Sequence, residues 1–162
     1  LDFPNEEVKH GFIKFLLPYY TYCQTSQHKT IIRELVKSLS TGDAERFMQQ
    51  MQSILAGTPY EIVKDLENHY QNVMYIVTKL LGFYVQAEYR TSRGRIDLLI
   101  KTDQYIYVIE LKHEGTPEEA LSQINAKDYI LPFTQDGRQV IKIGANISRE
   151  TRNLDRWVIE TT

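Results

Sequence analysis

At 162 residues, with 42% hydrophobic and 25% charged side chains, the chain has an ordinary globular composition, and a core of this size removes roughly 68–70% of the unfolded surface from water. A net charge of −2 argues against a protein that coats nucleic acid by bulk electrostatics, while leaving room for a local groove. The single cysteine, Cys23, excludes an internal disulfide and a cysteine-rich zinc site and fits a reducing, cytoplasmic setting. No apolar stretch reaches transmembrane length and no signal peptide is visible, so no membrane partner is expected. The chain runs from Leu1 straight into helical sequence, as expected of a fragment of a longer protein.

The first section reads as helical. Val8, Phe12, Phe15, Leu16 and Tyr19 recur at helical spacing until Pro18 kinks or ends the segment. Ile31, Ile32, Leu35, Val36 and Leu39 form a second stripe, stopping near Ser40-Thr-Gly42. Asp43 is placed to cap a third helix through Phe47, Met51, Ile54 and Leu55. After Gly57-Thr-Pro59 a longer helix carries apolar residues from Ile62 to Leu81, and Gly82 closes it. On it Glu67, Gln71 and Met74 fall along one line.

Strands follow: Phe83–Tyr89, then the turn Ser92-Arg-Gly94, then the apolar runs Arg95–Ile100 and Tyr105–Ile109. The second run ends in Glu110-Leu-Lys112, whose two charged residues share a pleat face. The first run contains Asp97. A charge within an apolar strand costs several kcal/mol, on the order of a buried ion's desolvation, unless compensated. A hairpin loop centred on Asp103-Gln104 places Asp97 opposite Glu110, Leu98 opposite Ile109, Ile96 opposite Leu111 and Ile100 opposite Tyr107. One sheet face is then wholly apolar, and the other carries the two acids, with Arg95 opposite Lys112. Like charges in direct opposition repel, and a divalent cation between them would convert repulsion into binding. The competing reading is an ion-pair network, Asp97 with Lys112 and Arg95 with Glu110.

Thr116-Pro-Glu-Glu119 is a capping-box helix start. The helix continues toward Pro132 with Gln123 and Lys127 one turn apart. Asp136-Gly137 leads into a strand at Gln139–Ile143, and Leu154–Ile159 suits a last strand or a short helix. Basic residues gather in two interspersed sets: Arg90, Arg93, Arg95, Lys101 and Lys112, then Arg138, Lys142, Arg149, Arg152 and Arg156. His10, His28, His69 and His113 show no metal-ligand spacing.

The order helix, three strands, helix, strand, with Gly94-Arg-Ile-Asp97, Tyr107-Val-Ile-Glu-Leu-Lys112 and Ala120-Leu-Ser-Gln-Ile124, resembles the PD-(D/E)xK nuclease superfamily. The resemblance is to a bacterial branch found C-terminal to an AAA-ATPase-like domain; Phe3–Val8 with Phe12 looks like the tail of that region. It implies an α/β fold: a restriction-endonuclease-like core, a mixed central sheet flanked by helices, preceded by an N-terminal helical segment. The division would be 1–58 helical connector and 59–162 nuclease-like domain. Asp97 and Glu110 would be ligands for Mg²⁺, with Mn²⁺ as substitute. Lys112 would orient the attacking water and offset charge on the phosphate, Glu67 would be the first-motif acid, and Gln123 would support the site. Tyr70 and Gln71 match pattern positions of unknown role. Ile96 stands where the superfamily's name has proline, a position often varied.

The implied activity is metal-dependent hydrolysis of nucleic-acid phosphodiesters, DNA by preference, beside an attached ATPase-like domain. The alternative is a catalytically inactive nuclease-fold module binding nucleic acid or a protein partner of that ATPase. A weaker possibility makes the helical section, with Tyr19, Tyr20 and Tyr22, an oligomerisation surface. Oligomeric state is not readable from the residues.

Overall fold

In the computed structural model, which describes residues 28–56 and 66–162, the second and third apolar stripes become α1 (His28–Thr41) and α2 (Ala44–Ala56). Asp43 caps α2 as expected, its Oδ1 accepting the Arg46 backbone N–H at 3.0 Å. The long helix α3 spans Leu66–Leu80, and Gly82 ends it in the left-handed region at φ 88°. The expectations for Val8–Tyr19, Pro18, the tyrosine cluster, Cys23 and the helix start after Pro59 lie outside the described residues.

Five strands follow: β1 (Tyr84–Thr91), β2 (Gly94–Lys101), β3 (Tyr105–His113), β4 (Gln139–Ser148) and β5 (Asn153–Thr161). They lie in the sheet in chain order, antiparallel except for the parallel pair β3–β4. Parallel neighbours need a crossover, and α4 (Pro117–Ala126) supplies it. Its capping box is formed: Thr116 Oγ1 accepts the Glu119 N–H at 3.0 Å, and Glu119 Oε2 accepts the Thr116 N–H at 2.9 Å. The tail is a strand rather than a helix, and β4 runs to Ser148, five residues beyond Ile143. No described helix is long and apolar enough to cross a membrane.

Two apolar clusters sandwich the sheet. One joins Leu35, Phe47, Met51, Tyr70 and Met74 of the first three helices to Leu98, Tyr107, Ile109 and Ile143. Tyr107 reinforces it, donating its hydroxyl to the Leu39 carbonyl at 2.7 Å. Helices α1 and α2 therefore share the sheet's core. The other cluster gathers Leu99, Ile106, Val108 and Val140 under α4 with Ile124, Tyr129 and Phe133. Each fully buried aliphatic or phenyl side chain contributes about 1.5–3 kcal/mol relative to exposure.

The β2–β3 register is the expected one, with Leu98 opposite Ile109 and Ile100 opposite Tyr107. The ladder stops there, however, before reaching Asp97 and Glu110. The expectation of one apolar face through Ile96 is corrected: Ile96 packs in the second cluster, with Leu99, while Leu98 and Ile100 face the first. The alternation rule assumes an unbroken pleat, and the pleat is broken at Asp97. The β1–β2 ladder also omits the Glu88/Asp97 pair, although its register is the same on both sides. Glu88 occupies the left-handed region at φ 53°.

Candidate active site

The broken pleat puts Asp97 at the end of the paired part of the hairpin. Its Oδ2 accepts the Leu111 backbone N–H at 2.8 Å, a side chain replacing a ladder partner. Its backbone carbonyl accepts from Nε2 of Gln71, on α3, at 2.6 Å. Glu110 lies on β3 beside Gly144 of β4 and is 2% exposed. A Cβ on Gly144 would stand 2.2 Å from the Pro117 carbonyl and 2.5 Å from the Leu121 nitrogen. Only glycine lets α4 seat this closely over β4, and that seating carries Gln123 to Glu110.

Gln123 bridges the other two side chains. Its Nε2 donates to Glu110 Oε1, and its Oε1 accepts from Lys112 Nζ at 2.5 Å. Lys112 Nζ also lies 3.8 Å from Glu110 Oε1. Behind Gln123, the Tyr129 hydroxyl accepts the Arg95 backbone N–H at 3.2 Å. Gly94 makes room for it, since a Cβ there would meet that hydroxyl at 2.7 Å. Glu67, at the start of α3, accepts the His113 backbone N–H at 3.2 Å. Glu67, Asp97, Glu110, Lys112, Gln123 and Lys127 line one open cleft of about 390 Å³, with Tyr129 on its wall.

The alternative ion-pair network is not the one formed. Arg95 pairs with Glu88 at 3.1 Å, and Lys112 reaches Glu110 instead of Asp97. Glu110 Oε2 is buried with no hydrogen-bond partner among the described residues. Burial, and then the charge of Asp97, push the Glu110 carboxyl up to about 8, against the pull of Lys112 and of the Asp97 backbone N–H. Burial also raises Asp97, partly offset by the Leu111 N–H and aggravated by Glu67. Ionised together, the two adjoining carboxylates would carry more negative charge than their surroundings compensate, which is why Glu110 holds its proton.

An added cation fits this donor set. Asp97 and Glu110 offer hard carboxylate oxygens, the class that Mg²⁺ and Mn²⁺ prefer, and Glu110 Oε2 is an oxygen left over. Among the described residues no group of three His, Cys, Asp or Glu side chains gathers around one point. Glu67 shares the cleft but spends one oxygen on the His113 amide. The Nε2 atoms of His69 and His113 are buried without hydrogen-bond partners among the described residues, and burial lowers the His69 imidazole.

Glu67, Asp97, Glu110, Lys112 and Gln123, singled out from the sequence, all line this cleft. Sequence reasoning missed Gly144 and the packing of Tyr129 against Gly94. Gly144 follows an apolar run and carries no signal until a helix is laid across it.

Residues 65–157 match the family model described as PD-(D/E)XK nuclease superfamily. A protein of Azotobacter chroococcum mcd 1, described as an uncharacterized protein in the vnfD 5' region, is 28% identical over 171 aligned positions. The alignment covers 99% of this chain and 32% of that protein, so the chain spans about a third of its relative's length. No solved structure matches.

Proposed function

The chain belongs to the PD-(D/E)XK nuclease superfamily, and on that premise we propose that its cleft hydrolyses nucleic-acid phosphodiester bonds, with DNA as the substrate. The observation that carries the reading is the buried Glu110 Oε2, which has no hydrogen-bond partner among the described residues, beside Asp97. Asp97 and Glu110 would hold the divalent cation, Mg²⁺ or Mn²⁺. When bound, that cation supplies Lewis-acid polarisation of the phosphoryl oxygen and a more acidic water. Lys112 presents Nζ to the attacking water and to charge developing on the phosphate. Gln123 holds that amine by Oε1 and Glu110 by Nε2, fixing their separation. Glu67 completes the acidic wall of the cleft.

Around this core we infer a helical connector over residues 1–58, whose α1 and α2 pack into the core of the nuclease-like domain at 59–162, and an attached ATPase-like domain in the parent protein. A cytoplasmic setting is consistent with the lone cysteine. Cleavage assays on single-stranded, duplex and branched DNA, with Mg²⁺ or Mn²⁺, test the activity. Metal-dependent cleavage lost in Asp97→Asn supports it; equal cleavage by both proteins overturns it. The second reading, an inactive binding module, is favoured by the engagement of Lys112 with Gln123 at 2.5 Å. It predicts DNA or partner binding that survives Lys112→Ala, with no turnover.

A further inference from the structure

The sheet is disrupted at one spot only on the β1–β2 side, and four departures from a regular pleat meet there. Glu88 and Asp97 are unpaired within a ladder whose register is continuous from Tyr84/Lys101 to Thr91/Gly94. Glu88 takes a left-handed backbone, which a side-chain-bearing residue adopts only when its surroundings impose it. The β2–β3 ladder ends at Leu98/Ile109. Ile96 crosses to the opposite apolar cluster.

A break of this kind leaves backbone groups without sheet partners, and a buried peptide group needs one. The Asp97 carbonyl finds its partner outside the sheet, in the side chain of Gln71, which α3 presses against β2. Gln71 is 7% exposed. Its amide NH₂ is the only part of that side chain able to donate to a carbonyl. The same break frees the Asp97 carboxylate to take the Leu111 N–H and stand beside Glu110. In a continuous pleat, the Asp97 carbonyl would be spent on a neighbouring strand.

We propose that Gln71 is a positioning residue of the site: its amide stabilises the interrupted pleat and so fixes the Asp97 carboxylate against β3. This rests on the reading of Asp97 as a cation ligand, and it assigns Gln71 no contact with substrate or metal. The amide competes against re-pairing of Glu88 with Asp97, which would relieve the Glu88 backbone and swing the carboxylate away from Leu111.

The test uses the full chain and two readouts. In metal-free buffer, amide hydrogen exchange follows the Leu111 N–H, whose acceptor is Asp97 Oδ2. Gln71→Met, similar in volume but without a donor, is expected to speed Leu111 exchange at least tenfold while leaving Val108 near wild type. Mn²⁺ titration calorimetry is expected to show at least tenfold weaker binding in the same variant. Val77→Ala, a cavity on α3 away from the cleft, supplies a comparably destabilised control with unchanged Mn²⁺ affinity. If Gln71→Met does not fold, Gln71→Asn, which shortens the amide's reach, is measured in its place against the same expectations. Wild-type exchange at Leu111 and wild-type Mn²⁺ affinity in the variant overturn the proposal, as do equal losses in Val77→Ala. Asp97→Asn separates the two claims. Retained Mn²⁺ binding there sinks the metal reading, whereas binding lost in Asp97→Asn but kept in Gln71→Met sinks only the role of Gln71.

Discussion

Two charged side chains are buried on neighbouring strands beneath α4, and they are treated oppositely. Lys142, on β4, is 4% exposed; its Nζ donates to Asn125 Oδ1 at 2.8 Å and to Glu160 on β5. The pairing lowers the Glu160 carboxyl, the sign of an interaction that favours both charges. Glu110, on β3, is 2% exposed, yet it has one oxygen without a hydrogen-bond partner among the described residues, an acid for a neighbour, and a carboxyl raised to about 8. The first arrangement is electrostatically closed and reads as architecture. The second is open by one positive charge. Burying an ion without compensation costs several kcal/mol, so the open arrangement is the one that a bound cation would complete.

Neutralising the open member should have the largest effect. Asp97→Asn or Glu110→Gln is expected to lower metal-dependent DNA cleavage by about 10³-fold, the scale of losing one preorganised electrostatic group. Steady-state assays at saturating Mn²⁺ measure it. Glu160→Gln, in the closed arrangement, should leave turnover within a factor of about two, since nothing it touches lies in the cleft.

Acidity sharpens the contrast. The folded Glu110 carboxyl, at about 8 against 4.5 for an unperturbed group, keeps a proton that the unfolded chain releases. Metal-free stability should therefore be greatest, as far as Glu110 is concerned, below about 4.5 and decline as pH rises toward about 8. The decline scales as about 1.4 kcal/mol for each unit separating the two values, an upper bound before relaxation. Calorimetry across this range should show the decline in chelator, and its loss in Glu110→Gln and in excess Mn²⁺. Glu160 runs the other way: its lowered carboxyl contributes stability above its ordinary range, and that contribution disappears on acidification.

Two smaller effects test the packing around the pair. Gly144→Ala forces the first turns of α4 off the sheet. It should cost about 1–3 kcal/mol, as overpacking does, and reduce turnover up to about 10²-fold by displacing Gln123. Denaturant titration and kinetics read the two effects separately. Glu160→Gln should cost about 1–3 kcal/mol, because it leaves the buried Lys142 ammonium with neutral partners only, a loss reduced by the 44% exposure of the Glu160 side chain.

The same comparison shows how far sequence can be read. Asp97 and Lys142 carry the same linear signature, a charge inside an apolar run. The hairpin between β2 and β3 is local, so loop position and alternation were enough to bring Asp97 toward Glu110. Lys142 belonged in the sequence to a scattered basic set, and its burial depends on Asn125 and Glu160, far along the chain. The capping box of α4 and the Asp43 cap were legible because capping is decided within four residues. The switch of Ile96 between faces and the backbone of Glu88 were not, since alternation presumes a regular strand. Gln71 aligned with Glu67 along α3, but its target appears only when α3 lies on β2. Gly144 likewise has no meaning until Pro117 and Leu121 lie over it.

The central claim is that Asp97 and Glu110 form a cation site, and Mn²⁺ soaked into crystals tests it most directly. The account predicts one anomalous peak in contact with both carboxylates, at about 2.0–2.2 Å from oxygen for an ion of this class, and its disappearance in Glu110→Gln. An empty cleft at saturating Mn²⁺, with Glu110 Oε2 bonded to a protein donor, would contradict it.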